Sequence, residues 1–129
     1  MELAAQQVVL DDDAVRAWAA GALTACRAAR ELIDAVNVFP VPDADTGSNV
    51  TLTLAGGVDA LAGAPAAPGG LLVAFAGGAA RAARGNSGII LSQWLVGLAR
   101  GLTSAPAGDA TAVLVDALEQ ADRAARAAV

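Results

Sequence analysis

The sequence contains no histidine, no lysine and no tyrosine, and it has a single cysteine in 129 residues. Without histidine the chain cannot form a Ser-His-Asp or Cys-His catalytic site or a His-ligated zinc site. Without lysine it cannot form a Schiff base or the lysine-containing GxxxxGK[ST] phosphate loop. The lone Cys26 excludes a disulfide within the chain and is typical of a cytoplasmic protein, which is the location we expect.

Charge and hydropathy exclude two further classes. Eight basic residues, all arginine, against 13 acidic ones give a net charge of −5, and with only two Trp and two Phe this argues against nucleic-acid binding. The hydrophobic fraction is 56%, but alanine supplies much of it and carries little transfer free energy. The longest uncharged run, Ala60 to Ala80, is broken by prolines and glycine pairs, so no membrane span is predicted. The first residues lack the basic start of a signal peptide.

Proline and glycine clusters divide the chain into five segments rich in Ala, Leu and Arg, which predict helices. The first helix starts after Asp11–Asp13, and its apolar stripe is Val15, Trp18, Ala22, Cys26, Ala29, Ile33 and Val36. The others run from about Ser48 to Leu61, from about Leu71 to Arg84, from Asn86 or Ser87 to about Leu102, and from Asp109 or Thr111 to the end. The sequence predicts one all-α domain with short connections.

Three side-chain assignments follow from the helical pattern. On the polar face of the first helix, Arg30 and Asp34 form an i,i+4 pair worth about 0.3 kcal/mol. Trp18 and Cys26 are assigned to the core. On the fourth helix Trp94, Leu95 and Leu98 form an apolar face, for which core packing and association with another molecule are both open, with the core favoured.

The first segment that could carry chemistry is DADTGSN at 43–49. Asp43 and Asp45, two residues apart in a loop before a helix, could converge on Mg²⁺, which favours one or two carboxylates together with waters and substrate phosphates. Backbone N–H groups at the start of that helix could hold a phosphate beside the metal. The alternative is structural, with Asp45, Thr46 or Ser48 serving only to cap the helix.

The second segment is RGNSG at 84–88, followed by an apolar run. Small residues between two helices allow close approach of a ligand, and the N-terminus of the next helix favours an anion. The alternative is a plain helix–turn–helix link in which Gly85 supplies a positive φ and Asn86 caps the helix. Because helix starts can share one end of an antiparallel bundle, the two segments together indicate a nucleotide–magnesium site.

Both segments resemble signatures of one known family. NVFPVPDADTGSN at 37–49 resembles the NVFPVPDGDTGTN motif of the fatty-acid kinase ATP-binding subunit, and ARGNSGIILSQ at 83–93 resembles its ARGNSGVILSQ motif. The N-terminal domain of that subunit is similar to the L subunit of dihydroxyacetone kinase (DhaL). The resemblance implies an all-α antiparallel barrel of about eight helices, of which residues 1–129 would supply about five as a partial DhaL-like nucleotide-binding domain.

The resemblance also implies the site. Asp43 and Asp45 match the magnesium ligands, and Asn37 occupies the place of a third aspartate in the dihydroxyacetone branch, so it is a weaker ligand candidate. The matched segments beside ADP or ATP and two Mg²⁺ ions are Thr46, Gly47, Ser48 and Asn49, and Gly85, Asn86, Ser87 and Gly88. No catalytic nucleophile or base is expected within the chain. Ala44 departs from the family glycine, and a positive φ there would strain the alanine by roughly 1–2 kcal/mol.

The activity implied is phosphoryl transfer from ATP to a fatty acid presented by a separate fatty-acid-binding carrier protein, giving an acyl phosphate. One alternative is the dihydroxyacetone branch, which transfers phosphate to a triose. That branch commonly has histidine after the second aspartate, where this chain has Thr46. The other alternative is an inactive binding or assembly fragment, because a partial barrel would expose helix faces that favour homo-oligomers.

Overall fold

The computed structural model describes residues 10–36, 44–63, 70–104 and 109–129. These residues form five helices and no strand: α1 (Asp12–Ala35), α2 (Thr46–Leu61), α3 (Gly70–Ala82), α4 (Gly85–Ser104) and α5 (Ala110–Ala127). The all-α prediction is therefore confirmed. Asn37 and Asp43, two of the three predicted metal ligands, lie outside the described residues.

Two helix starts follow from local side-chain chemistry. The Asp11 carboxylate accepts a hydrogen bond from the backbone N–H of Ala14 at 2.8 Å, and the Asp109 carboxylate accepts one from Thr111 at 3.3 Å. Both satisfy N–H groups that a helix leaves without an internal partner. Between α3 and α4 the chain turns at Gly85, whose φ of +68° suits glycine. The first helix, this glycine turn and the start at Asp109 agree with the sequence prediction.

Helix α2 runs antiparallel to α1 and to α3, and α5 runs antiparallel to α4, as the close pairs between them show. Gly57 of α2 lies against Phe75 of α3, while Thr53, one turn earlier, meets Arg84 beyond the end of α3. Helices α1 to α4 enclose the main core, in which α1 contacts α2 and α3, and α2 also contacts α4. Its buried members are Val15, Ala19, Leu23, Leu54, Leu61, Leu71, Leu72, Phe75, Ala76, Ala79, Leu95 and Ala99.

Helix α5 packs only on α4 within the described residues. A methyl group built on Gly101 would lie 2.5 Å from the Cα of Ala117, and one on Gly97 would lie 2.7 Å from the carbonyl oxygen of Gln120. The two backbones therefore approach each other closely because these glycines lack a side chain. Leu98, Ala117 and Ala121 form a second, small cluster, which shares Trp94 and Leu102 with the main core.

The predicted stripe of α1 is partly wrong. The buried residues are Val15, Ala19 and Leu23, whereas Val36 is 68% exposed. Trp18 is 37% exposed and so is not a core residue, although the edge of its ring packs against Phe75 with 5.9 Å between centroids. The stripe residues Ala22 and Cys26 are partly buried and pack against the main core, so the buried face of α1 combines part of the predicted stripe with Ala19 and Leu23.

On α4 the core interpretation is confirmed. Leu95 and Leu98 are 2% and 3% exposed, and the half-buried Trp94 packs against both clusters. In the ranges described above, no helix combines the length and apolar character that crossing a bilayer requires.

Candidate functional site

Helix α2 begins at the first motif, and a carboxylate from α1 caps it. Asp45 is the N-cap residue, but its side chain makes no capping bond. Instead one oxygen of Asp34 accepts from the Ser48 backbone N–H at 3.0 Å, and the other accepts from the Ser48 hydroxyl at 2.8 Å. The last turns of α1 therefore hold the start of α2 in place. The negative charge of Asp34 also lies at the N-terminus of α2, which is the positive end of the helix dipole.

The ionisation of Asp34 reflects these contacts. Partial loss of hydration raises the pKa of its carboxyl, but three hydrogen bonds more than offset this effect. They come from the Ser48 hydroxyl and from the backbone N–H groups of Ser48 and Gly47, and the Arg30 guanidinium adds a favourable charge. The net pKa of Asp34 lies below its ordinary value, so this carboxylate is charged at neutral pH.

Two residues of the first motif have backbone constraints. Gly47 is buried, and a methyl group on it would collide with the carbonyl oxygen of Arg30 in α1. Its small size is therefore required by helix packing. Ala44 has a φ of +54°, the one positive value for a non-glycine residue in the described ranges. Ala44, which stands where the resembling motif has glycine, thus adopts the strained conformation considered from the sequence.

The second motif forms the turn into α4. Helix α4 starts at Gly85, and the N–H of Gly88 donates to the carbonyl of Arg84 at 3.1 Å to close its first turn. The N–H groups of Gly85, Asn86 and Ser87 precede this bond, so they belong to the end of the helix that favours anions. Gly85 and Asn86 are exposed and Ser87 is half-buried.

The two motifs meet at one end of the bundle. A methyl group on Gly85 would lie 2.5 Å from the side-chain nitrogen of Asn49, so this amide packs directly over the glycine. One turn further along α2, the Thr53 hydroxyl accepts from the backbone N–H of Arg84 at 3.2 Å. Because α2 and α3 are antiparallel, the start of α2 lies beside the turn between α3 and α4.

The structure thus brings together most of the predicted site residues, with different surroundings. Asn49 and Gly85 are in contact, and Asn86 and Ser87 are next to them on the first turn of α4. Ser48 is engaged by Asp34, and Gly88 is buried against the Thr53 hydroxyl. For all of the predicted site residues, contact with a ligand stays a prediction. Thr46 and Asp45 open α2 at the same end.

One of the predicted magnesium ligands, Asp45, lies among the described residues. Among them no group of three or more Cys, Asp or Glu side chains is close enough to hold a metal ion. Asp45 is within these ranges, whereas its predicted partners Asp43 and Asn37 are not. The predicted magnesium site therefore depends on a pair of carboxylates of which one is described. Carboxylates at this spacing fit Mg²⁺, which takes few protein ligands.

Two residues of this region were not singled out from the sequence. The sequence pattern predicts a pair of Asp34 with Arg30 on the polar face of the first helix, and it places Thr53 within the second helix without a role. Their partners lie 14 and 31 residues away. A polar residue at a position that the helical period assigns to the buried face is the signal that could have identified Thr53.

Comparisons with known proteins agree with this architecture. A sequence model of the DAK2 domain matches residues 40–129. An uncharacterized protein of Staphylococcus saprophyticus is 44% identical over 73 residues, which are 56% of this chain and 13% of the relative. An uncharacterized protein of Staphylococcus aureus strain USA300 is 41% identical over 75 residues, 57% of this chain and 14% of the relative. The aligned stretch is thus a small fraction of these longer relatives.

Proposed function

The chain belongs to the DAK2 domain family, and from this we propose that it is a dihydroxyacetone-kinase-like nucleotide-binding domain whose site lies where α2 and α4 begin. The observation that carries the proposal is the contact between the motifs, in which Asn49 covers Gly85 and Thr53 bonds to Arg84. Residues 1–129 would form part of the full DhaL-like domain.

In the proposed site each segment has one task. Asp43 and Asp45, with Asn37 as a weaker ligand, would hold magnesium, and the first turn of α4 would bind nucleotide phosphates through Gly85, Asn86 and Ser87. Magnesium supplies charge neutralisation to a phosphoryl group in transfer. In this proposal the side-chain amide of Asn49, which packs on Gly85, would donate to a phosphate oxygen. The chain's own contribution is positioning and electrostatics.

Within this family we propose the fatty-acid-kinase branch. The substrate would be a fatty acid on a carrier protein, and the product an acyl phosphate. The NVFPVP segment before Asp43 supports this branch, and so does Thr46 where the triose branch commonly has histidine. A dihydroxyacetone-type glycerone phosphotransferase is the second candidate, because the matching sequence model is that of the DAK2 domain. Phosphorylation of an acyl-loaded carrier, tested against dihydroxyacetone with its partner subunit, separates the two.

A different class of function is a binding or assembly fragment without turnover. The observation in its favour is the exposed apolar surface of α5, where Leu114, Val115 and Leu118 are 37%, 50% and 42% exposed. Contiguous apolar surface of this kind favours association. Sedimentation of the chain over a range of concentrations would reveal a homo-oligomer, and a folded oligomer that does not bind nucleotide would favour this alternative.

Calorimetric titration with ADP and ATP, with and without Mg²⁺, tests the nucleotide site. We expect magnesium-dependent binding that Asp45→Asn weakens by about tenfold or more, because a carboxylate ligand becomes a neutral amide. At a nucleotide concentration of about 100 Kd the folded state gains about 2.7 kcal/mol, which a thermal melt detects.

Asp59→Asn is the matched control, since Asp59 is an exposed carboxylate near the other end of α2. It makes the same change of charge on the same helix and should leave nucleotide affinity unchanged. Circular dichroism establishes that each variant is folded. A folded wild-type chain that binds neither nucleotide would reject an autonomous nucleotide site, and equal weakening by both variants would reject the role of Asp45.

A further inference from the structure

Thr53 is fully buried and makes hydrogen bonds to both motif segments. Its hydroxyl donates to the carbonyl oxygen of Asn49 at 2.8 Å and accepts from the backbone N–H of Arg84 at 3.2 Å. The first bond is the ordinary one between a helical threonine and the residue four positions earlier. The second joins α2 to the turn between α3 and α4, across 31 residues of sequence.

The surroundings of this hydroxyl fix the start of α4. A methyl group on Gly88 would collide with the Thr53 hydroxyl oxygen, so α4 is seated directly on it. One turn away, the Asn49 amide covers Gly85. The stretch from Arg84 to Gly88 is therefore held against α2 at three points, and at each of them an α2 side chain meets the turn or the first turn of α4.

We propose that Thr53 is a positioning residue that sets the turn before α4 against the start of α2 and so aligns the two halves of the nucleotide site. This inference rests on the proposed function, because it assigns the alignment a role in binding nucleotide. Because Thr53 is fully buried, the proposal gives it no direct contact with the ligand. It acts through the Arg84 N–H, which needs an acceptor in a partly buried turn.

The first test measures the link without any nucleotide. Hydrogen exchange by NMR should show the Arg84 amide protected in the wild type and exchanging about tenfold faster in Thr53→Val, because valine keeps the shape and removes the acceptor. Amide resonances of 84–88 and of Asn49 should shift, while those of α5 should not. Thr53→Ser keeps the hydroxyl, so it should retain both the protection of the Arg84 amide and the wild-type resonances of 84–88 and Asn49.

The second test measures binding of ADP with Mg²⁺ by calorimetry. Thr53→Val should weaken affinity by about tenfold, and Thr53→Ser should stay within about twofold of the wild type. Ser92→Ala is the control, because Ser92 is about as deeply buried but its hydroxyl donates to the carbonyl of Ile89 in the same helix, α4. This control distinguishes the effect of losing any buried hydroxyl from the effect of losing the hydrogen bond between Thr53 and Arg84. If Thr53→Val fails to fold, Thr53→Ala carries the same comparison.

The outcomes are distinct. An Arg84 amide that stays equally protected without the Thr53 hydroxyl would overturn the proposal whatever the nucleotide does. Lost protection with unchanged affinity would overturn the role in binding, and so would a loss of affinity that Thr53→Ser fails to rescue. Absence of binding by the folded wild type would reject the proposed function and this role with it, while the exchange measurement would still decide whether Thr53 joins the two segments.

Discussion

Ala44 adopts a left-handed backbone conformation, with a φ of +54°, between the two carboxylates proposed to bind magnesium. For an L-residue with a Cβ this conformation costs about 1–2 kcal/mol. Glycine relieves that strain but loses about 0.5–1 kcal/mol through its greater freedom in the unfolded chain. The larger of these two free energies decides whether replacing Ala44 by glycine stabilises or destabilises the protein.

We therefore expect Ala44→Gly to raise the free energy of unfolding by roughly 0.5–1 kcal/mol in urea denaturation. The matched control is Ala20→Gly, at an exposed position within α1, which should lower it by about 1 kcal/mol. The same substitution thus has opposite effects at the two sites. Destabilisation by Ala44→Gly comparable to that of the control would contradict a strained Ala44.

The Asp34–Ser48 contact gives a pH dependence of stability. Because the pKa of Asp34 is lower in the folded state than in the unfolded chain, its contribution is fully present above the unfolded pKa and is lost as pH falls through the folded pKa. We expect the difference in unfolding free energy between the wild type and Asp34→Asn to be constant near neutral pH and to change in acid. Urea denaturation from neutral pH downwards measures it.

Ser48→Ala removes one of the two hydrogen bonds from Ser48 to Asp34, since it deletes the hydroxyl donor and keeps the backbone N–H donor. Ser48→Ala should therefore make the acid-dependent contribution of Asp34 to the free energy of unfolding smaller without abolishing it. Identical pH profiles for the wild type and Asp34→Asn would show that this carboxylate does not stabilise the start of α2.

The contact between α4 and α5 depends on glycine more than on large apolar side chains. A methyl group on Gly101 would lie 2.5 Å from the Cα and 2.8 Å from the Cβ of Ala117, and neither atom can move without its helix. We expect Gly101→Ala to lower the free energy of unfolding by about 1–3 kcal/mol, because the two helices must separate.

Gly21→Ala is the control for this prediction. Gly21 is exposed on α1 and has open space around it, so alanine should raise stability by about 0.5–1 kcal/mol through helix propensity alone. Urea denaturation measures both variants. A stabilising Gly101→Ala would mean that α5 does not pack on α4 as closely as described.

Local chemistry explains why the elements could be predicted. Asp11 and Asp109 cap helices as their positions indicate, and Gly85 marks the break between α3 and α4. That both motifs lie at helix starts also follows from the sequence. The bonds of Asp34 and Thr53 could not be predicted, because their partners are 14 and 31 residues away and no local period relates them. The prediction that Trp18 is a core residue is wrong, because an apolar stripe on one helix does not show how far a neighbouring helix covers each side chain.

At the scale of the molecule, the described residues form one main core and a fifth helix that buries few apolar side chains. Within the described residues α5 contacts α4 alone, and its buried residues are Ala117 and Ala121. Since local opening requires less free energy where less apolar surface is buried, we expect α5 to open before the other helices. Native-state hydrogen exchange should find the α5 amides less protected than those of α2 and α3. Uniform protection across all five helices would contradict this order.

The positions of the two tryptophan side chains allow fluorescence to report whether α5 opens before the other helices. Trp18 touches Phe75 in the main core, whereas Trp94 also packs against the cluster that α5 completes. Loss of α5 would bring water to Trp94 and leave Trp18 in place. The fluorescence of a Trp18→Phe variant would then shift to longer wavelength at a lower urea concentration than that of a Trp94→Phe variant, so the protein carries its own pair of optical reporters.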